Sequence, residues 1–275
     1  MPRGICKLCL DEKDLVDGHL ISAAIVRQLR APTLSNPNPL TLTRKIAVQT
    51  SAPISGYVMC QECDNRLGQY GETRTIPNLA TMESFPIGEA LHNAKPLMTV
   101  GRVAAYAGRD ISGIDMASLG FFGLSIFWKC ASHPWRDLTK GRIDIDLGPY
   151  REPLRRYLHG DASFPKDVAL LIAVPTDEVM IGAYSPRRGH ERTFHNFVCY
   201  VPGVEFTLCV GKGIPKEVRA CCSYTSPNKL IYLSAAAAEN TNDSFGLLSQ
   251  SARPSKGVKR MLEEIMALKA PDNKT

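Results

Sequence analysis

Two Cys-x-x-Cys pairs, Cys6/Cys9 and Cys60/Cys63, constrain this chain more than any other feature. Two intervening residues let both sulfurs of one tight turn reach a single ion at ~2.3 Å, and two such pairs make the ligand set of a tetrahedral structural Zn²⁺ site. Fifty residues lie between Cys9 and Cys60, more than a compact zinc ribbon needs and enough for a helix and a loop. A redox Cys-x-x-Cys normally occurs once, on a βαβ unit that the pattern here lacks. Two disulfides would call for a secreted chain. Zinc is therefore the expected occupant.

The compartment follows from the same residues. No basic start followed by an apolar run marks a signal peptide. Five further cysteines, Cys130, Cys199, Cys209, Cys221 and Cys222, show no pairing pattern, and the odd total of 9 points to a reducing cytoplasm. The most apolar stretch, residues 116–131, is too short to span a bilayer and reads as a buried helix, so no membrane partner is expected.

Charge narrows the partners. The net charge is +6, which permits contact with nucleic acid. Residues 1–75 carry 9 Lys/Arg against 7 Asp/Glu, and four zinc-bound thiolates add about −2 to that small surplus. The zinc module is then close to neutral. Attraction to phosphates must come from local clusters or from the rest of the chain.

Periodicity divides the chain into a zinc module (1–75), a helix-plus-sheet domain (76–238), and a polar linker with a terminal helix (239–275). In the module, residues 21–30 read as a short helix ended by Pro32, 31–39 as a loop, 44–49 as a strand and 51–56 as a turn. A helix follows Cys63, over 64–70. Residues 76–95 read as irregular. Residues 116–132 are apolar nearly all round, the mark of a central helix, and 150–158 form a shorter helix bearing Arg151, Arg155 and Arg156.

Strand-like runs then cover 168–174, 179–184, 194–200 and 204–210, with turns at Thr176-Asp177, 186–189 and Pro202-Gly203. Short links favour an antiparallel meander packed on the apolar helix. Residues 239–257 read as linker and 258–269 as an amphipathic helix. The fold class expected is α+β: a four-cysteine treble-clef module, a helical region, and an antiparallel sheet.

At Cys6-x-x-Cys9, His19-Leu20-Ile21 and Cys60-x-x-Cys63-Asp64-Asn65, the chain resembles the HNH superfamily in its zinc-stapled treble-clef form. More narrowly, it is similar to a largely uncharacterised bacterial group with a Ser-His-Ile-Ile-Pro-like segment after the first cysteine pair. The resemblance covers residues 5–72. It implies a ββα-metal hairpin and a metal-dependent endonuclease acting on nucleic-acid phosphodiesters, DNA above all. Matched position by position, His19 is the general base, Asp64 the helix-borne ligand of Mg²⁺ or Mn²⁺, and Asn65 a residue positioning the loop. The four cysteines are then purely structural.

Two positions depart from that pattern. The residue before the base is often acidic in the nucleases; here it is Gly18, with Asp17 one place earlier as the only substitute. The family proline after the histidine segment is Ser22. Simpler roles also exist for each residue. His19 can buttress the knuckle, and Asp64 can cap the helix; Glu72 is either a distant acid of the site or a solvated helix-end charge, and Arg66 either a phosphate contact or a surface ion-pair partner. Cys130 and His133 lie three apart on the apolar helix, but Pro134 follows and no supporting acid or oxyanion element is evident, so Cys130 reads as core. The arginines of 151–156 are the better phosphate candidates, ahead of the basic tip at 186–190. The alternative to an enzyme is a non-catalytic zinc module that binds nucleic acid or a protein partner.

Overall fold

The structure, a computed structural model, describes residues 1–43, 45–176, 181–189, 191 and 193–269. Arg44, Asp177, His190 and the start of the strand expected at 179–184 lie outside the described residues.

The chain begins with β1 (Arg3–Ile5), β2 (Glu12–His19), α1 (Ala23–Gln28), β3 (Leu40–Leu42), β4 (Ile46–Gln49), β5 (Ser55–Cys60) and α2 (Gln61–Leu67). Strands β1, β2 and β5 form an antiparallel sheet, with Leu15 opposite Cys60, Gly18 opposite Gly56 and His19 opposite Ser55. A register shift between Val16 and Asp17 re-aims the end of β2. Ser22 starts α1 by accepting a hydrogen bond from the Ala24 N–H at 3.3 Å.

α2 does not stop at Leu67. It runs through one π-helical turn, Gly68–Glu72, into a last α turn, α3 (Thr73–Thr75). The reason lies across the interface. At Gly71 a Cβ would stand 3.1 Å from the Cα of Phe122, so only glycine lets the two helices approach this closely.

α4 (Pro86–His92), β6 (Met98–Val100) and β7 (Val103–Ala107) lead to α5 (Met116–Ser132). Asp115 caps α5 by accepting from the N–H groups of Ala117 and Ser118. As its all-round apolar sequence requires, α5 is buried almost throughout. One side meets the π turn; the other lies on the main sheet, where a Cβ on Gly123 would strike the Phe206 ring at 2.4 Å. The small hairpin β8 (Trp135–Arg136) and β9 (Arg142–Ile143) precedes α6 (Arg151–His159), which ends at Gly160 in the left-handed region, φ 96°.

The remaining elements are β10 (Val168–Pro175), β11 (Tyr184–Arg188), β12 (His195–Val201), β13 (Val204–Val210), α7 (Lys216–Ala220), β14 (Leu230–Ser234), α8 (Ala235–Ser251), β15 (Arg253–Pro254) and α9 (Lys256–Lys269). The main sheet has seven strands in the order β11-β12-β13-β10-β14-β7-β6. The expected antiparallel meander survives as β11-β12-β13, but the sheet is mixed, because β10 and β14 run parallel. β10 is apolar on both faces. It therefore takes a central place, with α5 and α8 both packed against it.

The N-terminal module and the sheet share one continuous core, which runs from Cys6, Leu20 and Met59 through Trp128 to Phe206 and Ile231. The chain also returns to its beginning. β15 pairs in parallel with β4, Arg253 opposite Ile46, and Glu264 of α9 accepts hydrogen bonds from the backbone N–H and hydroxyl of Ser35. The region expected to be a polar linker is thus the end of a 17-residue helix and a strand. Its Asn, Thr and Ser residues disfavour a helix interior in isolation, and contact with β10 overrides that preference.

Candidate functional site

The first cysteine pair sits in the turn between β1 and β2. Leu10 closes that turn at φ 68°, with its N–H bonded to the Cys6 carbonyl at 2.9 Å. The second pair straddles the junction of β5 and α2. Pairing of β2 with β5 brings the pairs together, and the backbone N–H of Cys60 donates to the Cys6 sulfur at 3.4 Å. The four sulfurs lie within 4.8 Å of one another. Four thiols so close, in two turns whose N–H groups point at sulfur, fit a tetrahedral zinc ion.

Their proton affinities reflect that crowding. Hydrogen bonds from the Cys63 thiol and from the backbone N–H groups of Cys60, Cys9 and Leu8 hold the Cys6 thiol far below its ordinary value. The same thiol contact, together with burial, pushes Cys63 up. A neighbouring element supports the turn from outside. Arg155 of α6 donates to the Leu8 carbonyl while its other nitrogens form a bidentate pair with Glu152 at 2.8 Å. This arginine, one of the phosphate candidates of the sequence, pairs with an acid and clamps the knuckle.

A second polar cluster lies beside the cysteines. His19 is the last residue of β2, and Asp64 lies in the first turns of α2. A Cβ on Gly18 would meet the Asp64 carboxylate at 3.4 Å. Position 18 is therefore the one that looks at Asp64, and it offers no side chain. Asp17 is exposed and, one residue along a strand, points to the other face. It does not substitute.

Lys129, contributed by α5, sits among these groups and is only 3% exposed. Its ammonium donates to the His19 carbonyl at 2.9 Å and lies 3.9 Å from the Glu72 carboxylate. Glu72 also accepts from the Ser22 hydroxyl at 2.7 Å. The π turn thus delivers Glu72 into the cluster, so of its two sequence readings the solvated helix end, the favoured one, does not hold. Burial raises the Asp64 carboxyl above its ordinary value; Lys129 and His19 act against that, and Glu72 adds to it. Burial likewise lowers Lys129, opposed by Glu72 and Asp64.

Asn65 stands apart. It is exposed on α2 and accepts a hydrogen bond from Gln61 one turn earlier, at 2.8 Å. A histidine absent from the sequence-derived site comes closer. His133, just past α5, places its Nε2 3.1 Å from where a Cβ on Gly56 would be, with its ring edge-on to Trp135. Gly18 and Gly56 are cross-strand partners, so their absent side chains open one face of the hairpin. The Asp64 carboxylate borders the Gly18 half of that space, and His133 borders the Gly56 half. The sequence did hold a signal for Lys129: it is the one charged side chain in an otherwise buried helix, seven residues from Phe122 and on the same face.

Among the described residues, the four cysteines are the one group of three or more Cys, His, Asp or Glu side chains gathered closely enough to hold an ion. No helix of the described residues is long and apolar enough to cross a membrane. No protein-family model, curated protein or solved structure matches the chain.

Proposed function

We propose that the chain is a metal-dependent endonuclease of the HNH type, built on a zinc-stapled treble clef, hydrolysing nucleic-acid phosphodiesters with DNA as the favoured substrate. One observation carries this reading: Asp64, in the first turns of α2, faces Gly18 near the end of β2 and feels the charge of His19, the last residue of that strand. A strand-end histidine near a helix-borne carboxylate is what the HNH resemblance implies for a ββα-metal hairpin.

The half-buried Asp64 carboxylate suits Mg²⁺ or Mn²⁺, ions that keep several waters and need only one or two protein carboxylates. When bound, the ion would neutralise charge on the phosphate and the leaving oxygen. His19 accepts the proton of the attacking water as its oxygen bonds to phosphorus and the P–O bond to the leaving oxygen breaks. Lys129 holds the His19 carbonyl, and Glu72 holds Ser22, so the chain at and just after His19 is fixed.

Lys129 also favours a second reading. Its ammonium is a resident cation beside Asp64 and Glu72, and a site already balanced in charge has less need of a divalent ion. On that reading the module is non-catalytic and binds nucleic acid or a protein partner. Incubating zinc-loaded protein with supercoiled DNA, single-stranded DNA and RNA in Mg²⁺ or Mn²⁺ decides between them. Cleavage by wild type that is abolished in zinc-replete His19→Ala and Asp64→Asn supports the nuclease. If wild type cuts none of the three, or His19→Ala cuts as well as wild type, the binding module stands.

A further inference from the structure

On another side of α2 from Asp64, a cleft of about 510 Å³ opens between the π turn, α5, α6 and the segment before β14. Its volume is that of a small-molecule site. Aromatic rings line it in sequence: Tyr70 against Phe121 at 5.9 Å, Phe121 against Tyr157 at 6.2 Å, and Tyr157 against Tyr224 at 5.5 Å. Tyr70 is 53% exposed, with Phe121 its one aromatic neighbour among the described residues.

Two arginines border the rings. Arg74 is paired with Asp115 at 2.9 Å. Arg66 is held differently. Its guanidinium lies over the Tyr70 ring at 4.6 Å, and its Nε donates to the Leu158 carbonyl at 2.8 Å. Among the described residues its Nη1 and Nη2 have no hydrogen-bond or ion-pair partner. Space for that orientation comes from Gly160, where a Cβ would stand 2.6 Å from Arg66 Nη2.

A guanidinium plane stacked on a tyrosine, with its terminal nitrogens free, matches two parts of one ligand: a planar base and the phosphate attached to it. The Tyr157 and Tyr224 hydroxyls, which form no hydrogen bond among the described residues, can serve the polar edge of a base. An aliphatic ligand would use none of these groups.

We infer that this cleft binds a nucleotide, its base stacked at Tyr70 and Arg66 and its phosphate on the Arg66 guanidinium. The inference rests on the nucleic-acid reading above for the class of ligand, and it requires nothing of His19. The nucleotide is either free or the unpaired unit of a single strand, and two arms of one experiment separate these sources.

Zinc-loaded His19→Ala protein, without added divalent ions, is titrated by fluorescence anisotropy with a labelled single-stranded 12-mer. Separate titrations by calorimetry use nucleoside monophosphates. Saturable binding in either arm, weakened about tenfold by Tyr70→Ala and within twofold of the parent for Tyr70→Phe, supports the cleft and identifies the source. For the strand, Arg66→Gln should also reduce the slope of log affinity against log salt by about 0.7. Zinc content and far-UV circular dichroism confirm that each variant is folded; should Tyr70→Ala unfold, Arg66→Gln alone decides. Absence of binding in both arms, or equal binding by parent and folded variants, overturns the inference. Because the parent lacks His19, binding here without cleavage by wild type rejects the nuclease and leaves the cleft standing.

Discussion

The ammonium of Lys129 donates to the carbonyl oxygen of His19 at 2.9 Å, tying the buried central helix to the last residue of β2. The two residues are 110 apart in sequence. The bond links the N-terminal sheet to the helix that packs on the main sheet.

Replacing Lys129 by Met should therefore be costly. It leaves Glu72 and Asp64 without their cation and the His19 carbonyl without its donor, a loss of about 3–5 kcal/mol by analogy with broken buried pairs. Urea denaturation of zinc-loaded protein measures it. The double variant Lys129→Met/Glu72→Gln should regain part of that loss, since one uncompensated charge has gone.

Gly18→Asp tests the hairpin from the other direction. The Cβ fits at ordinary van der Waals distance, 3.4 Å from the Asp64 carboxylate. A second carboxylate beside the first should raise Mn²⁺ affinity about tenfold or more. Calorimetric titration of the zinc-loaded variant and wild type with Mn²⁺ gives the ratio; equal affinities would show that position 18 does not look into a cation site.

Two glycines in the helical segment after Cys63 should respond oppositely. Gly71→Ala drives a methyl into the Phe122 backbone at 3.1 Å and should destabilise by about 1–3 kcal/mol. At Gly68 a Cβ meets nothing within 4 Å, so Gly68→Ala should stabilise by up to about 1 kcal/mol. Denaturant midpoints measured side by side check both.

Glu205 supplies a pH dependence away from the metal centre. Burial pushes its carboxyl up to about 7, against the hydrogen bond from the Tyr184 hydroxyl at 3.1 Å and the charge of Arg187. The folded protein thus holds a proton that the unfolded chain releases near 4.5. The contribution of Glu205 to stability is fully present below that value, is lost as pH rises from about 4.5 to about 7, and stays lost above it. Glu205→Gln should abolish this fall, gaining on the order of 3 kcal/mol at pH 8 relative to pH 4. Thermal melts across that range, compared with wild type, would reveal it.

Removal of zinc should unfold more than the N-terminal segment, because Cys6, Leu8 and Met59 belong to the same core as Trp128 and Phe206. Cys6→Ser or Cys60→Ser should lose the metal, whereas Cys130→Ala and Cys209→Ala should keep it. Metal content by atomic emission, with the melting profile of each variant, distinguishes these outcomes.

The contrast between what the sequence disclosed and what it hid follows from range. The cysteine knuckles are local patterns, and the helix after Cys63 was legible beside them, whereas β5 begins inside a stretch that reads as a turn. The apolar all-round character of α5 announced its burial. By contrast, Glu72 and His133 acquire their places through the packing of α5 on the π turn and hairpin, which no short-range period encodes; Lys129 shows only as a lone charge in an apolar helix, without its partners. The parallel pairing of β10 with β14, and the helix α8 within a polar stretch, were hidden for the same reason: tertiary partners outweigh local preference.

The bond from Ser35 to Glu264 joins residues 229 apart, whereas the cysteine pairs meet across only 54. During synthesis, where N-terminal segments emerge first, the metal knuckles can close while most of the chain is still unmade. The loop holding β3 and β4 must wait for β15 and α9 to leave the ribosome. Until then β4 presents an open strand edge, a template for pairing with another chain. Over the interval between these events the β4 edge lacks the strand that covers it in the folded protein.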